Sequence, residues 1–289
     1  MRKVKQVIPS SKVNMGGIIL DQPLPTASVD QIDPFLLIHH WHNVLPGNQK
    51  QNEVGVGPHP HRGFSPVTFI FKGGVHHRDS RGNDSIIYEG GTQWMNAGRG
   101  IVHSERPHKK VAEEGGEFEI IQFWVNNPAK FKMEHPSYQP LSKDNTPVYS
   151  SENGKAKVYV VAGNYKGLEG KISAHSPLIT LRMELEENGT LDFSIQEDYN
   201  TLIYQLDGEL TVNDSEQTKA KDLIWFDNDG KEEIKISANK KSRAILLAGE
   251  PLNEEVVSYG PFVMNSQTEV MEAMRDAQMG KMGVLIEEF

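Results

Sequence analysis

Two short polar pairs, His59-Pro60-His61 and His103-Ser104-Glu105, carry the chemistry that this chain offers. Within each pair the residues stand two apart, a spacing that on a β-strand points both side chains to one face. Two such strands lying side by side would aim three imidazoles and one carboxylate at a single point. That is a ligand set for a transition metal, and Fe(II), Mn(II), Ni(II), Cu(II) and Zn(II) all accept it. The chain contains no cysteine, which excludes disulfides, thiolate ligands and iron–sulfur clusters and argues against a structural zinc site. Around a six-coordinate ion, four protein ligands leave two positions open for a bidentate substrate, or for substrate plus O2.

All eleven histidines fall within the first 175 residues. A rival group, His39-His40-Trp41-His42, places His40 and His42 on one face but lacks a second pair. It is read as packing or as hydrogen bonding to a ligand. His76-His77-Arg78 follows the Gly73-Gly74 turn and is expected on a loop, at the site's mouth or plainly exposed. Gly57, Gly63, Gly98 and Gly100 flank the two pairs and allow tight turns at a barrel rim.

Net charge is −9, which speaks against direct nucleic-acid binding. The charge is uneven. Residues 59–110 carry eight Lys/Arg against four Asp/Glu, a surplus of four positive charges, which leaves the remainder at −13. This basic island is expected either to draw a small anion such as a phenolate or carboxylate, or to be a solvated strip. The amino-terminal segment has basic residues but no apolar core after them, and mean hydropathy is −0.51. Neither a secretory leader nor a membrane span is expected, and the location is expected to be cytoplasmic.

The elements that must position the pairs are short apolar or alternating runs: Phe35–Ile38, Val67–Phe71, Phe118–Val125, Val158–Ala162, Leu178–Leu185, Thr201–Leu206, Asp222–Phe226 and Arg243–Ala248. Gly, Asn, Asp and Pro clusters punctuate them, as in sandwich or barrel domains. A linker is expected at 139–147, separating domains at 1–138 and 148–289. The halves read as diverged copies: Phe69–Val75 resembles Leu202–Leu210, and Gly90–Met95 resembles Ala220–Phe226. No histidine follows His175, so the second copy has lost the means to bind metal. Near the end, Ser266-Gln267-Thr268-Glu269 reads as a capping box. The helix that follows carries Val270, Met271, Met274 and Ala277 at helical spacing and ends at Gly280. Its methionines are read as packing.

Several long motifs resemble the pirin family of the cupin superfamily. They are His59-Pro60-His61-Arg62-Gly63-Phe64, Gln93–Glu105, Arg78-Asp79-Ser80, Trp124–Met133, Leu247–Leu252 and Gly260–Asn265. The resemblance covers nearly the whole chain. It implies an all-β bicupin, with two antiparallel barrels in tandem, metal only in the first, and a short C-terminal helix. It implies His59, His61, His103 and Glu105 as metal ligands. Ser65 and Pro66 stand where many cupins have their Glu ligand, and Glu105 supplies the carboxylate instead, as in pirins.

The resemblance leaves function divided. One expectation is an Fe(II)-dependent dioxygenase of the quercetin 2,3-dioxygenase type, acting on a small aromatic substrate with O2. There Glu105 is the catalytic base, taking the proton of a flavonol 3-hydroxyl. The alternative is a non-catalytic, iron-dependent regulator that binds a protein partner through its acidic remainder. The third reading is a structural bicupin with a relict site.

Overall fold

The computed structural model describes residues 1–288. The regular structure is mostly antiparallel strands, and every run named above lies within one. Leu178–Leu185 and Asp222–Phe226 are strands with the expected bounds, and Phe35–Leu45, Phe64–Lys72 and Glu233–Gly249 extend beyond theirs. The last helix spans Gln267–Gln278, with the Ser266 hydroxyl accepting from the Glu269 amide at 3.3 Å. It buries Val270 and Ala273, while Met271 is exposed, so the methionine stripe is only partly packing. A short helix at Lys109–Glu114 carried no sequence signal.

The fold forms two compact units. One comprises residues 13–20, 35–143 and 253–289. Its larger sheet runs Ser137–Leu141, Thr92–Asn96, Phe64–Lys72, Gly116–Asn126, Phe35–Leu45, Ile18–Leu24, Ser11–Met15. Its smaller sheet runs Val56–His61, Ile101–Pro107, Gly74–Asp79, Asp84–Tyr88. The other unit comprises residues 1–12, 21–34 and 144–252.

The expected partition at 138 and 148 is therefore corrected at both chain ends and within the linker. Val4–Pro9 pairs with Asp222–Phe226 of the second unit, and the buried Arg2 guanidinium donates to the carbonyls of Gln196, Glu197, Tyr199 and Asp227. Residues 253–289 belong instead to the first unit. The expected linker begins as a strand, Ser137–Leu141, paired to Thr92–Asn96.

Both units pair a Trp-bearing strand with an earlier strand, but the register is two residues off the sequence match of Phe69 with Leu202: Val67 lies opposite Trp94 in one unit, and Leu202 opposite Trp225 in the other. His59 faces His103 and His61 faces Ile101 across a ladder of the first unit, and Leu191 faces Ile236 and Phe193 faces Ile234 across a ladder of the second. Leu191, Phe193, Ile234 and Ile236 belong to the dense apolar core that fills the second barrel. Burial there stabilises packing, at roughly 1.5–3 kcal/mol per large side chain, and no histidine stands among them.

Candidate metal centre

His59 and His61 lie on Val56–His61, and His103 on Ile101–Pro107, so antiparallel pairing brings the three rings together. The Nε2 atom of His59 is 3.0 Å from that of His61 and 3.0 Å from that of His103. The Nδ1 side of each ring has its own partner. His59 Nδ1–H donates to the Gly57 carbonyl at 2.8 Å, His61 Nδ1–H to the Pro261 carbonyl at 3.4 Å, and His103 Nδ1 lies 3.5 Å from His77 Nδ1. With Nδ1 as the donor, each Nε2 carries a lone pair, and the three lone pairs face one another. Burial pushes the His61 and His103 imidazoles well below the usual histidine range. It lowers His59 too, against the opposing pull of the Gly57 carbonyl and Glu105. Three neutral imidazoles with converging lone pairs repel in the absence of a cation, and the cluster fits a metal ion. Two nitrogens about 2.1 Å from one ion and at right angles to each other lie about 3.0 Å apart, which matches both short edges.

Glu105 stands apart from this cluster. The ladder shifts register between His103 and Glu105, and the carboxylate is held along the cavity wall. Oε1 accepts from the Thr68 hydroxyl at 2.9 Å, and Oε2 from Gln122 Nε2 at 2.6 Å. Gln122 also donates to Thr68 and accepts from Trp124 Nε1. Neither Thr68 nor Gln122 was singled out in the sequence, because an interior Thr and Gln on apolar strands carry no motif.

The cluster opens on a cavity of about 340 Å³. His59, His61 and Glu105 are at one side, and Leu37, Trp41, Val56, Phe118 and Ile120 form apolar walls. His39 also faces this cavity, its imidazole pushed down to about 4 by burial. Its neighbours in the rival group are committed elsewhere: buried His40 contacts Glu119 at 3.1 Å, and His42 contacts Glu117 at 2.9 Å. His76 and His77 are not on a loop. They lie buried on the strand Gly74–Asp79, because Gly73-Gly74 starts a ladder to Ile101–Pro107.

No Lys or Arg of the basic island lines this cavity. Its arginines hold the structure together. Arg62 pairs with Asp276 at 3.0 Å, Arg106 with Glu287 at 2.8 Å, and Arg78 with Asp84 at 3.2 Å. Two of those acids come from the C-terminal segment, whose Pro261 carbonyl also orients His61. Its contribution was illegible in the sequence because nothing local marks a contact 200 residues away.

Comparison with known proteins decides the family. A family model described as Pirin matches residues 17–125, and one described as Pirin C-terminal cupin domain matches residues 180–283. Pirin-like protein 2 of Arabidopsis thaliana is 33% identical, covering 97% of this chain and 85% of its own. The chain belongs to the pirin family. The pirin superposes on the crystal structure of quercetin 2,3-dioxygenase from Acinetobacter baumannii with a TM-score of 0.92 at 33% identity, over 99% of this chain and 100% of that one. It shares its fold with a bacterial pirin from Escherichia coli solved in complex with nickel(II), with a TM-score of 0.66 at 20% identity over 86% and 98% of the two chains. Among the described residues no helix is long and apolar enough to cross a membrane.

Proposed function

We propose that this pirin is an Fe(II)-dependent dioxygenase of the quercetin 2,3-dioxygenase type, acting with O2 on a flavonol-like aromatic. The observation that carries the reading is the convergence of three imidazole lone pairs at the side of an apolar cavity that also presents one carboxylate. Its volume lies within the range of small-molecule sites, about 300–1,000 Å³. The structural likeness to the Acinetobacter quercetin 2,3-dioxygenase supports the reading at 33% identity.

His59, His61 and His103 would hold the ion, and Glu105, held by Thr68 and Gln122 in the same cavity, would join them or act beside them. Bound there, the metal supplies Lewis-acid activation of a substrate oxygen and a redox partner for O2. The protein supplies the rest. Glu105 takes the proton of the substrate hydroxyl onto a carboxylate oxygen, displacing the hydrogen bond of Thr68 or Gln122. Trp124 keeps Gln122 aligned meanwhile. The apolar walls receive a planar ring and exclude water, which strengthens the attraction between the deprotonated oxygen and a cation. His39, neutral at physiological pH, adds no competing charge.

The test is oxygen uptake by iron-loaded protein given quercetin, with His103→Ala and Glu105→Gln alongside. Uptake abolished in His103→Ala, and slowed in Glu105→Gln with iron retained, is expected. No uptake by wild-type protein with iron demonstrably bound overturns the enzymatic reading and turns attention to protein partners.

A further inference from the structure

The strand beside the cluster carries another pair two residues apart, His77-Arg78-Asp79, and both outer members are buried. Asp79 is saturated with donors. Its Oδ2 accepts from His77 Nε2 at 3.0 Å and Asn83 Nδ2 at 2.7 Å, and its Oδ1 from the amides of Arg81 at 2.8 Å and Asn83 at 3.1 Å. Burial acts to raise this carboxyl, but the bonds from His77 and Asn83 prevail and hold it below its ordinary value. His77 Nε2–H donates to this carboxylate, and in the neutral tautomer with its proton there His77 Nδ1 is an acceptor. That acceptor faces His103 Nδ1 at 3.5 Å, the long end of hydrogen-bonding range. The Tyr138 ring stacks on His77 at 4.1 Å with an interplanar angle of 5°, and its hydroxyl is fixed by Ser85 at 2.7 Å, so the His77 ring is held in its plane.

The geometry points to His77 and Asp79 as positioning residues that set the tautomer of His103: a carboxylate–imidazole–imidazole chain that keeps the His103 proton on Nδ1 and its Nε2 lone pair on the metal. This rests on the three-histidine metal site, though not on the identity of the substrate. The other two ligands need no such chain, because backbone carbonyls of Gly57 and Pro261 fix them directly. Opposite His103 the neighbouring strand offers a side chain instead, since His103 pairs with Asp79 in the ladder and its ring turns toward His77.

The experiment uses full-length protein loaded with Co(II), whose paramagnetism shifts the ring N–H protons of ligating histidines out of the proton NMR envelope. Wild-type protein is expected to show one exchange-protected Nδ1–H signal for each of the three histidines. His77→Phe keeps the stack on Tyr138 but removes the acceptor. Cobalt affinity, read by chelator competition, is expected to fall about 10–100-fold, with one of the three signals lost to solvent exchange and two unmoved. Asp79→Asn keeps the bonds to the Arg81 and Asn83 amides but places a donor against His77, turning His77 Nδ1–H toward His103. The same single-signal loss is expected there. Affinity within twofold of wild type and three protected signals in either variant overturn the assignment, as does uniform loss of all three signals in both while the fold persists. Wild-type protein that takes up no cobalt overturns the metal site itself, whereas cobalt binding without oxygenase activity leaves this chain standing.

Discussion

Gly63 directly follows the His61-Arg62 pair, and Gly63→Ala tests how far the C-terminal segment sets the position of His61. Gly63 has φ +90°, and a Cβ there would stand 2.0 Å from the Val263 carbonyl oxygen and 2.8 Å from Met264 Sδ. The oxygen belongs to backbone pinned on both sides. Val263 N–H donates to the Arg62 carbonyl, Arg62 N–H to the Pro261 carbonyl, and buried Lys132 Nζ bridges the Gly63 and Val263 carbonyls. Ordinary contact requires more than 1 Å of movement, and the Pro261 carbonyl that orients His61 must move with it. Left-handed strain costs roughly 1–2 kcal/mol and overpacking about 1–3 kcal/mol, so the expected loss is about 2–5 kcal/mol. Gly167→Ala is the control: φ is +82° and nothing lies within 4 Å of its Cβ, so only the strain term applies. Calorimetry on metal-free protein should show Gly63→Ala melting several degrees below Gly167→Ala, at about 2–4 °C per kcal/mol. Chelator competition should show weaker metal binding in Gly63→Ala alone. Equal melting of the two variants with equal metal affinity would refute the claim that this strand fixes the ligand loop.

Metal-free protein should lose stability as pH falls. The folded His39 imidazole stays neutral down to about 4, whereas the unfolded residue takes a proton near its ordinary value of about 6.5. Its stabilising contribution is therefore full above about 6.5 and declines to about 4, amounting to about 2 kcal/mol between pH 7.5 and pH 5. His61 and His103 act in the same direction, and a urea midpoint unchanged between those pH values would contradict this. Glu287→Gln leaves the nearly buried Arg106 guanidinium without its anion and should release the segment near Glu287, seen as faster amide exchange at residues 283–288 with the barrel strands unaffected. Phe193→Ala, in the apolar core of the second barrel, should cost about 3–5 kcal/mol and leave metal affinity unchanged. His61→Ala should show the converse, a large loss of affinity with the smaller loss of metal-free stability.

The two polar pairs were legible because strand periodicity is local: residues two apart share a face whatever the rest of the chain does. The same rule reaches a further pair. His77-Arg78-Asp79 has the spacing of His59-Pro60-His61, yet the Gly73-Gly74 turn suggested a loop, when in a barrel such a turn opens the next strand. Applied evenly, periodicity marks this pair too, on the strand beside the cluster of His59, His61 and His103. The assignment of the chain ends to the two units was not legible, for a different reason. Composition locates a polar stretch near 139–147, but which strands pair is decided by non-local ladders, such as Val4–Pro9 with Asp222–Phe226. The basic island failed likewise, since charge along a sequence does not say whether an arginine meets solvent, a ligand or Asp276 and Glu287. The second unit carries Leu191, Phe193, Ile234 and Ile236 on a ladder inside its apolar core, with no histidine among them, whereas the first keeps a cavity beside three mutually repelling imidazoles. Its ligand loop is braced instead by the C-terminal segment, through Val263, Asp276 and Pro261, so the metal site depends on residues far along the chain from its own strands.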